Sequence, residues 1–310
     1  MEKTLKFRQD GTFKVMQLTD IHYTDDDERD HRSVALVRQC IEKEKPDFIM
    51  VTGDAVYGPD NLKNLDKVMA PLVESKIPWS YVFGNHDVEE NSDERTLFSR
   101  LEKMDGFIGY DDREAIDGYG SHILPIYGND GGMPWAVAGI DSGNYNPIEE
   151  IGGYAYVTPN QIRWYENQMK ELEERQKDFS VLAFQHIPVP EIEDVWKFER
   201  CFGVKRDGFG SPLVNSGQCL SMVKDGHTKG LFFGHDHVNS FWGDYYGLIL
   251  GYGRKSGYGN YGAEDFLYGC RMFVLKEDDT HRFETYEYLE NDRYVREPWK
   301  YQPLMRRDEG

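Results

Sequence analysis

The chain has 310 residues, 39% of them hydrophobic, and a formal net charge of −19 at pH 7. That length supports one large core, so residues 1–310 are expected to form a single α/β domain. The acidic surplus argues against a nucleic-acid backbone or an anionic membrane as the main partner.

In chain order, the segment Met1 to Phe7 has no apolar signal core, and no run of the sequence is long enough to span a bilayer, so a soluble, cytoplasmic protein is expected. Phe13 to Thr19 is apolar enough for a central strand. The acidic stretch Asp25 to Asp30 reads as a solvated loop. Val34, Val37 and Ile41 give Ser33 to Lys45 helical spacing, and Pro46 ends it. A strand is predicted over Asp47 to Thr52, a helix over Leu62 to Ser75, and a strand over Ile77 to Phe83. This strand–helix alternation favours parallel pairing with right-handed crossovers.

Glu94 to Met104 reads as a helix, and Ser121 to Tyr127 and Trp135 to Ile140 as strands. Thr158 and Pro159 open a helix that runs to about Gln176, since Thr caps well and Pro suits the first helical position. Val181 to Phe184 is a buried strand, Pro212 to Lys224 a helix, and Leu231 to Phe233 a strand. The tail is β-rich at Gly247 to Leu250, Cys270 to Leu275 and Arg282 to Tyr288. Two face-to-face sheets with helices outside would house these strands. Cys40, Cys201, Cys219 and Cys270 are far apart and form no CxxC pair, which favours free thiols over a zinc knuckle.

Five of the apolar runs end in the same chemistry. They lead into Asp20-Ile21-His22, Gly53-Asp54, Gly84-Asn85-His86-Asp87, His186 and Gly234-His235-Asp236-His237. Two divalent ions held roughly 3.5–4 Å apart need a bridging carboxylate, terminal ligands and open positions. Asp54 suits the bridge, and Gly53 before it permits a close backbone approach. Asp20 and His22, like His235 and His237, are two apart and would share a face of an extended strand. The expected sets are Asp20, His22, Asp54 and His237 for one ion, and Asp54, Asn85, His186 and His235 for the other. With only Asp20 and Asp54 anionic, the loaded site stays positive and would attract phosphate in an acidic protein. Such ligands suit manganese, iron, zinc or cobalt.

These motifs, in this order and across nearly the whole chain, resemble those of calcineurin-like metallophosphoesterases. The resemblance implies a four-layer αββα sandwich of two mixed sheets and phosphoester hydrolysis by a hydroxide bridging the metals. His186-Ile187-Pro188-Val189-Pro190-Glu191, Val214-Asn215-Ser216-Gly217 and the residues from Gly234 to Asn239 look like the purple-acid-phosphatase-like branch. Gly53-Asp54-Ala55-Val56-Tyr57 matches the motif in which true purple acid phosphatases bind ferric iron through tyrosine. This chain departs from them at His22, where they carry glycine, so Tyr57 is read as packed beside a His-ligated site, with a ferric tyrosinate first site as the alternative. The resemblance gives His86 the role of acid to the leaving oxygen and Asp87 that of orienting its imidazole.

Arg254 and Lys255, in the Gly-rich run Gly251 to Gly262, could hold a phosphate or be an ordinary connection with solvated charges. Asp141 could orient a ligand histidine or form a turn. His31, His122, His227 and His281 read as surface or structural histidines. The expected activity is a phosphomonoesterase acting on a small phosphorylated molecule or a phosphoprotein. The alternatives are a cyclic-nucleotide type phosphodiesterase and a non-catalytic metal-binding scaffold, while a nuclease is disfavoured by charge.

Overall fold

The computed structural model describes residues 4–89, 91–111 and 116–303; Met1 to Lys3, the start of the segment without a signal core, lie outside them. The first half contains β1 (Leu5–Lys6), β2 (Thr12–Leu18), α1 (Glu28–Glu44), β3 (Phe48–Thr52), α2 (Asn61–Ser75), β4 (Trp79–Val82) and α3 (Glu94–Leu101). Then come β5 (His122–Tyr127), β6 (Trp135–Gly139), α4 (Pro159–Arg175), β7 (Ser180–Phe184), α5 (Glu191–Phe198), β8 (Cys201–Phe202) and α6 (Gln218–Asp225). The chain closes with β9 (Thr228–Phe233), β10 (Trp242–Tyr245), β11 (Leu248–Tyr252), β12 (Gly269–Lys276), β13 (Asp279–Leu289), β14 (Arg293–Val295) and β15 (Lys300–Tyr301).

The strands form two mixed sheets. One has six strands in the order β14-β13-β12-β2-β3-β4, and the other nine in the order β1-β5-β6-β7-β9-β11-β10-β8-β15. Pairing is parallel through β2, β3 and β4 and again through β6, β7, β9 and β11, with helices in every crossover except that from β9 to β11, which passes through β10.

Strand alternation builds the layers. Along β2 and β3, Met16, Leu18, Ile49 and Val51 face a core shared with α1, α2 and α3. Phe13, Val15, Phe48 and Met50 point the other way, into a core that meets Trp135, Val137, Leu182 and Phe184 of the nine-stranded sheet. From that second sheet Ala136, Ala138, Val181 and Ala183 face a third core with α4 and α6. Side chains that change face at every residue therefore give four layers, αββα.

The boundaries differ from the sequence reading at identifiable places. The helix α1 starts five residues before Ser33, because Asp27 caps it and Asp30 completes the capping box. The acidic stretch is therefore a helix start, where negative charge favours the dipole. The helix α6 begins only at Gln218, behind Gly217 at φ 85°, so residues 212–217 are a loop. Thr158 caps α4 with Gln161 completing a capping box. All four cysteines are buried and free. Among the described residues, no helix is long and apolar enough to cross a membrane.

Candidate metal centre

The carboxyl ends of β2, β3 and β4 in one sheet and of β7 and β9 in the other meet at one edge of the sandwich, and each runs into one of the five motifs. The sheets are tied there by Gln17, whose amide donates to Thr52 Oγ1 at 2.9 Å and to the Phe233 carbonyl at 3.1 Å. Asp20, His22, Asp54 and His235 all adopt left-handed backbone, at φ 53°, 53°, 51° and 76°. The pairs Asp20/His22 and His235/His237 are thus brought to the site by tight bends rather than by the pleat of a strand. Such conformations persist only where surrounding contacts over-determine them. Here Asp20 N–H donates to the Gly53 carbonyl at 3.1 Å and His22 N–H to the Asp54 carbonyl at 2.9 Å. Gly84 must be glycine, since a Cβ there would lie 2.2 Å from Asp54 Oδ1.

Asp20, His22, Asp54 and His237 each bring one ligand atom within 4.8 Å of the others, and Asp54, His186 and His235 form a second such set. Asp54 belongs to both, as a bridging carboxylate would. Its Oδ1 accepts the His86 N–H at 2.8 Å. Its Oδ2 lies 3.1 Å from His186 Nε2 and 3.7 Å from His22 Nε2 with no aligned hydrogen bond. His22 Nε2 and His237 Nε2 converge to 2.9 Å, and His186 Nε2 and His235 Nδ1 to 3.3 Å. His186 Nδ1 contacts the Thr52 carbonyl at 2.8 Å and His237 Nδ1 that of Tyr261 at 2.9 Å. With those nitrogens as donors, His237 presents its Nε2 lone pair, and His186 would present its own once a cation displaces the proton it shares with Asp54. Asn85 Oδ1 is buried without a partner.

Burial pushes Asp54 upward, yet the imidazoles of His186, His22 and His86 outweigh it and hold the carboxyl well below its usual range. Burial pulls His186 down, but Asp54 and Asp20 carry it up to about 10. Burial keeps His22 and His237 well below the ordinary histidine value and takes His235 to about 3, so these three are neutral. An anionic carboxylate shared by two sets of imidazoles, with buried oxygens on Asp54 and Asn85 that make no aligned hydrogen bond, suits two cations.

Tyr57 is half-buried, its ring 4.8 Å from that of His86 and 6.2 Å from that of His22. His86 lies beside the cluster, with its ring 5.3 Å from the His22 ring.

Two readings are corrected. Asp87 does not orient His86: its carboxylate accepts the N–H groups of Gly84 (2.8 Å), Asp54 (2.9 Å), Ala55 (3.0 Å) and Val56 (3.2 Å). The carboxylate that meets His86 is Glu89, whose Oε2 lies 2.9 Å from His86 Nδ1. Arg254 and Lys255 are only 5% and 2% exposed, neither solvated nor open to the surface, and their donors are engaged within the protein. Arg254 is held by the Leu267 carbonyl, Ser240 Oγ and Glu287, and Lys255 donates to the Asp20 carbonyl at 2.9 Å from beneath the site. Of the two alternatives for Asp141, the contacts are those of a turn: it accepts the N–H groups of Gly143 at 2.9 Å and Tyr119 at 2.7 Å.

The structure adds residues that no motif announces. Tyr261 stacks on His237 at 4.0 Å and Tyr154 meets His235 edge-on at 4.3 Å. Tyr145 stacks on Tyr154 at 6.0 Å, and its hydroxyl donates to Glu89 Oε1 at 2.8 Å.

Residues 13–239 match the family model described as calcineurin-like phosphoesterase. A relative from Arabidopsis thaliana named probable inactive purple acid phosphatase 14 is 33% identical, covering 90% of this chain and 79% of its own. Phosphatase DCR2 of Saccharomyces cerevisiae is 26% identical over 76% of this chain and 46% of its own. Among solved structures, a dimetal phosphatase from Danio rerio superposes with a TM-score of 0.65 at 16% identity, covering 93% of this chain and 98% of its own. With the five motifs at one sheet edge, the chain is a member of the calcineurin-like phosphoesterase family, on its purple-acid-phosphatase-like side.

Proposed function

We propose that the chain is a dinuclear metal-dependent phosphomonoesterase acting on a small phosphorylated molecule or a phosphoprotein. The observation that carries this is the pair of buried oxygens without an aligned hydrogen bond, Asp54 Oδ2 and Asn85 Oδ1, set among four converging imidazoles. Asp20, His22, Asp54 and His237 would hold one ion, and Asp54, Asn85, His186 and His235 the other. Bound there, two divalent ions such as manganese, iron, zinc or cobalt supply a clamp for the phosphoryl oxygens and acidify water. His86 gives a proton to the leaving oxygen as the phosphorus–oxygen bond breaks. Tyr57 packs against the His86 and His22 rings and confines them.

The phosphatase names of the relatives favour monoesters over diesters. The net charge of −19 disfavours nucleic acid, and four free cysteines support a reducing compartment such as the cytoplasm. The word inactive in a relative's name favours a second reading, a metal-binding scaffold without turnover; the filled ligand set of this chain opposes it. The test is metal content together with hydrolysis of para-nitrophenyl phosphate and bis-para-nitrophenyl phosphate. About two metals per chain are expected, with faster monoester turnover and loss of both metal and turnover in Asp54→Asn. Metal without turnover would establish the scaffold, and a diester preference the phosphodiesterase. A purple colour would make Tyr57 a ligand.

A further inference from the structure

We propose that Glu89 is the positioning residue of His86, and that Tyr145 fixes Glu89 in that role; this rests on the phosphoesterase reading above. Glu89 Oε2 lies 2.9 Å from His86 Nδ1, with both side chains about one quarter exposed at the mouth of the site. The other oxygen, Oε1, accepts the Tyr145 hydroxyl at 2.8 Å. Glu89 is therefore engaged at both carboxylate oxygens, by an ion-pair contact on one and a hydrogen bond on the other. Tyr145 is itself fixed. It pairs with Tyr154 across a β-bridge and stacks on that ring. The neighbouring Asn144 amide donates to Glu94 Oε1 at 3.1 Å on α3.

With Nδ1 facing Glu89, the nitrogen left for a substrate is Nε2. The His86–Glu89 contact has ion-pair distance without hydrogen-bond alignment, and catalytic hydrogen bonds often tighten only when substrate is in place. Asp87, the carboxylate next to His86 in sequence, is fully occupied with backbone N–H groups. Glu89 is the acidic side chain at contact distance from this imidazole nitrogen among the described residues. In the step it serves, the His86 Nε2–H proton passes to the leaving oxygen as water-derived hydroxide adds to phosphorus. The products are inorganic phosphate and a neutral alcohol or phenol.

The leaving group separates positioning from mere support. Para-nitrophenolate departs without a proton, whereas a phenolate or an alkoxide needs one. The experiment compares kcat/KM of manganese-loaded wild type, Glu89→Gln and Tyr145→Phe on para-nitrophenyl phosphate, phenyl phosphate and an alkyl phosphate. Glu89→Gln should lose about threefold on the first and about thirtyfold or more on the other two, part of the 10²–10⁴ range of general acid catalysis. Tyr145→Phe should shift the same way by less, and Glu89→Asp should recover part of the loss. An equal loss on all three esters, or none, overturns the assignment to Glu89 while leaving the enzyme intact. Absence of turnover by wild type on every ester overturns the phosphoesterase reading, and the Glu89 assignment with it.

Discussion

Asp87 shows how the carboxylate beside His86 can belong to the backbone instead. Fully buried, it gathers four N–H groups from the loops after β3 and β4, and so locks Asp54 against Asn85. Asn61 completes the lock by donating to the carbonyls of His86 and Asp87 at 3.1 and 2.9 Å. Each buried donor left unpaired costs about 1–3 kcal/mol, so Asp87→Ala should destabilise the fold by at least about 3 kcal/mol, read by denaturant unfolding. Asp87→Asn keeps one accepting oxygen and should cost less. Its turnover should stay within a few-fold of wild type once folded. A hundredfold loss of turnover in Asp87→Asn at unchanged stability would return the orienting role to Asp87. The clustered Asp, Asn and His residues are legible because each follows an apolar run that ends at the same sheet edge. Glu89 is not, since its second partner, Tyr145, lies 56 residues on in a loop without periodicity. Arg254 is misread for a related reason: its burial is decided by Glu287, 33 residues away.

Among elements, the two sheets are joined by more than apolar packing. His122 on β5 reaches across to Ser80 on β4, with Nε2 2.9 Å from Ser80 Oγ and Nδ1 2.6 Å from the Gly120 carbonyl. Burial pulls this imidazole down to about 4 from its ordinary 6.5. The folded state thus takes up a proton at lower pH than the unfolded chain. The contribution is complete above pH 6.5 and is lost as pH falls towards 4, by up to about 3 kcal/mol. His122→Asn keeps a donor for Gly120 and cannot titrate. Its Tm should be lower than wild type at pH 7 but change less between pH 6.5 and 4. Parallel loss of Tm in both proteins over that range would place the acid sensitivity elsewhere. The main strands and helices of both sheets can be read from apolar periodicity, and the capping of α4 from Thr158-Pro159. The two-residue strands β1, β8 and β15 cannot, because two residues carry no period and their pairing is purely tertiary. The helix α5 escapes notice as well: it has eight residues and starts behind Pro188 and Pro190, which read as a loop.

For the molecule as a whole, the net charge of −19 and the metal site are one electrostatic problem. Two buried carboxylates, Asp20 and Asp54, sit among histidines of which three are kept neutral by burial, with Lys255 beneath Asp20. Burial pushes Asp20 upward, and the neighbouring Asp54 adds to this, while His186 and Lys255 oppose it. Left-handed backbone at Asp20, His22, Asp54 and His235 adds strain at the same place. A cation bound there relieves the carboxylate repulsion only in the folded state, because the ligands come from five strand ends that separate on unfolding. Binding of this kind stabilises by about 2.7 kcal/mol at a hundredfold excess over Kd. At roughly 2 °C per kcal/mol for a chain of this size, that raises Tm by about 5 °C. Differential scanning calorimetry of chelated protein, before and after addition of manganese, zinc or iron, should show this rise in wild type. Asp54→Asn removes the charge shared by both positions and should show a much smaller rise. A wild-type Tm unmoved by all three metals would mean that the cluster is held by its own hydrogen bonds and ion pairs and does not bind metal.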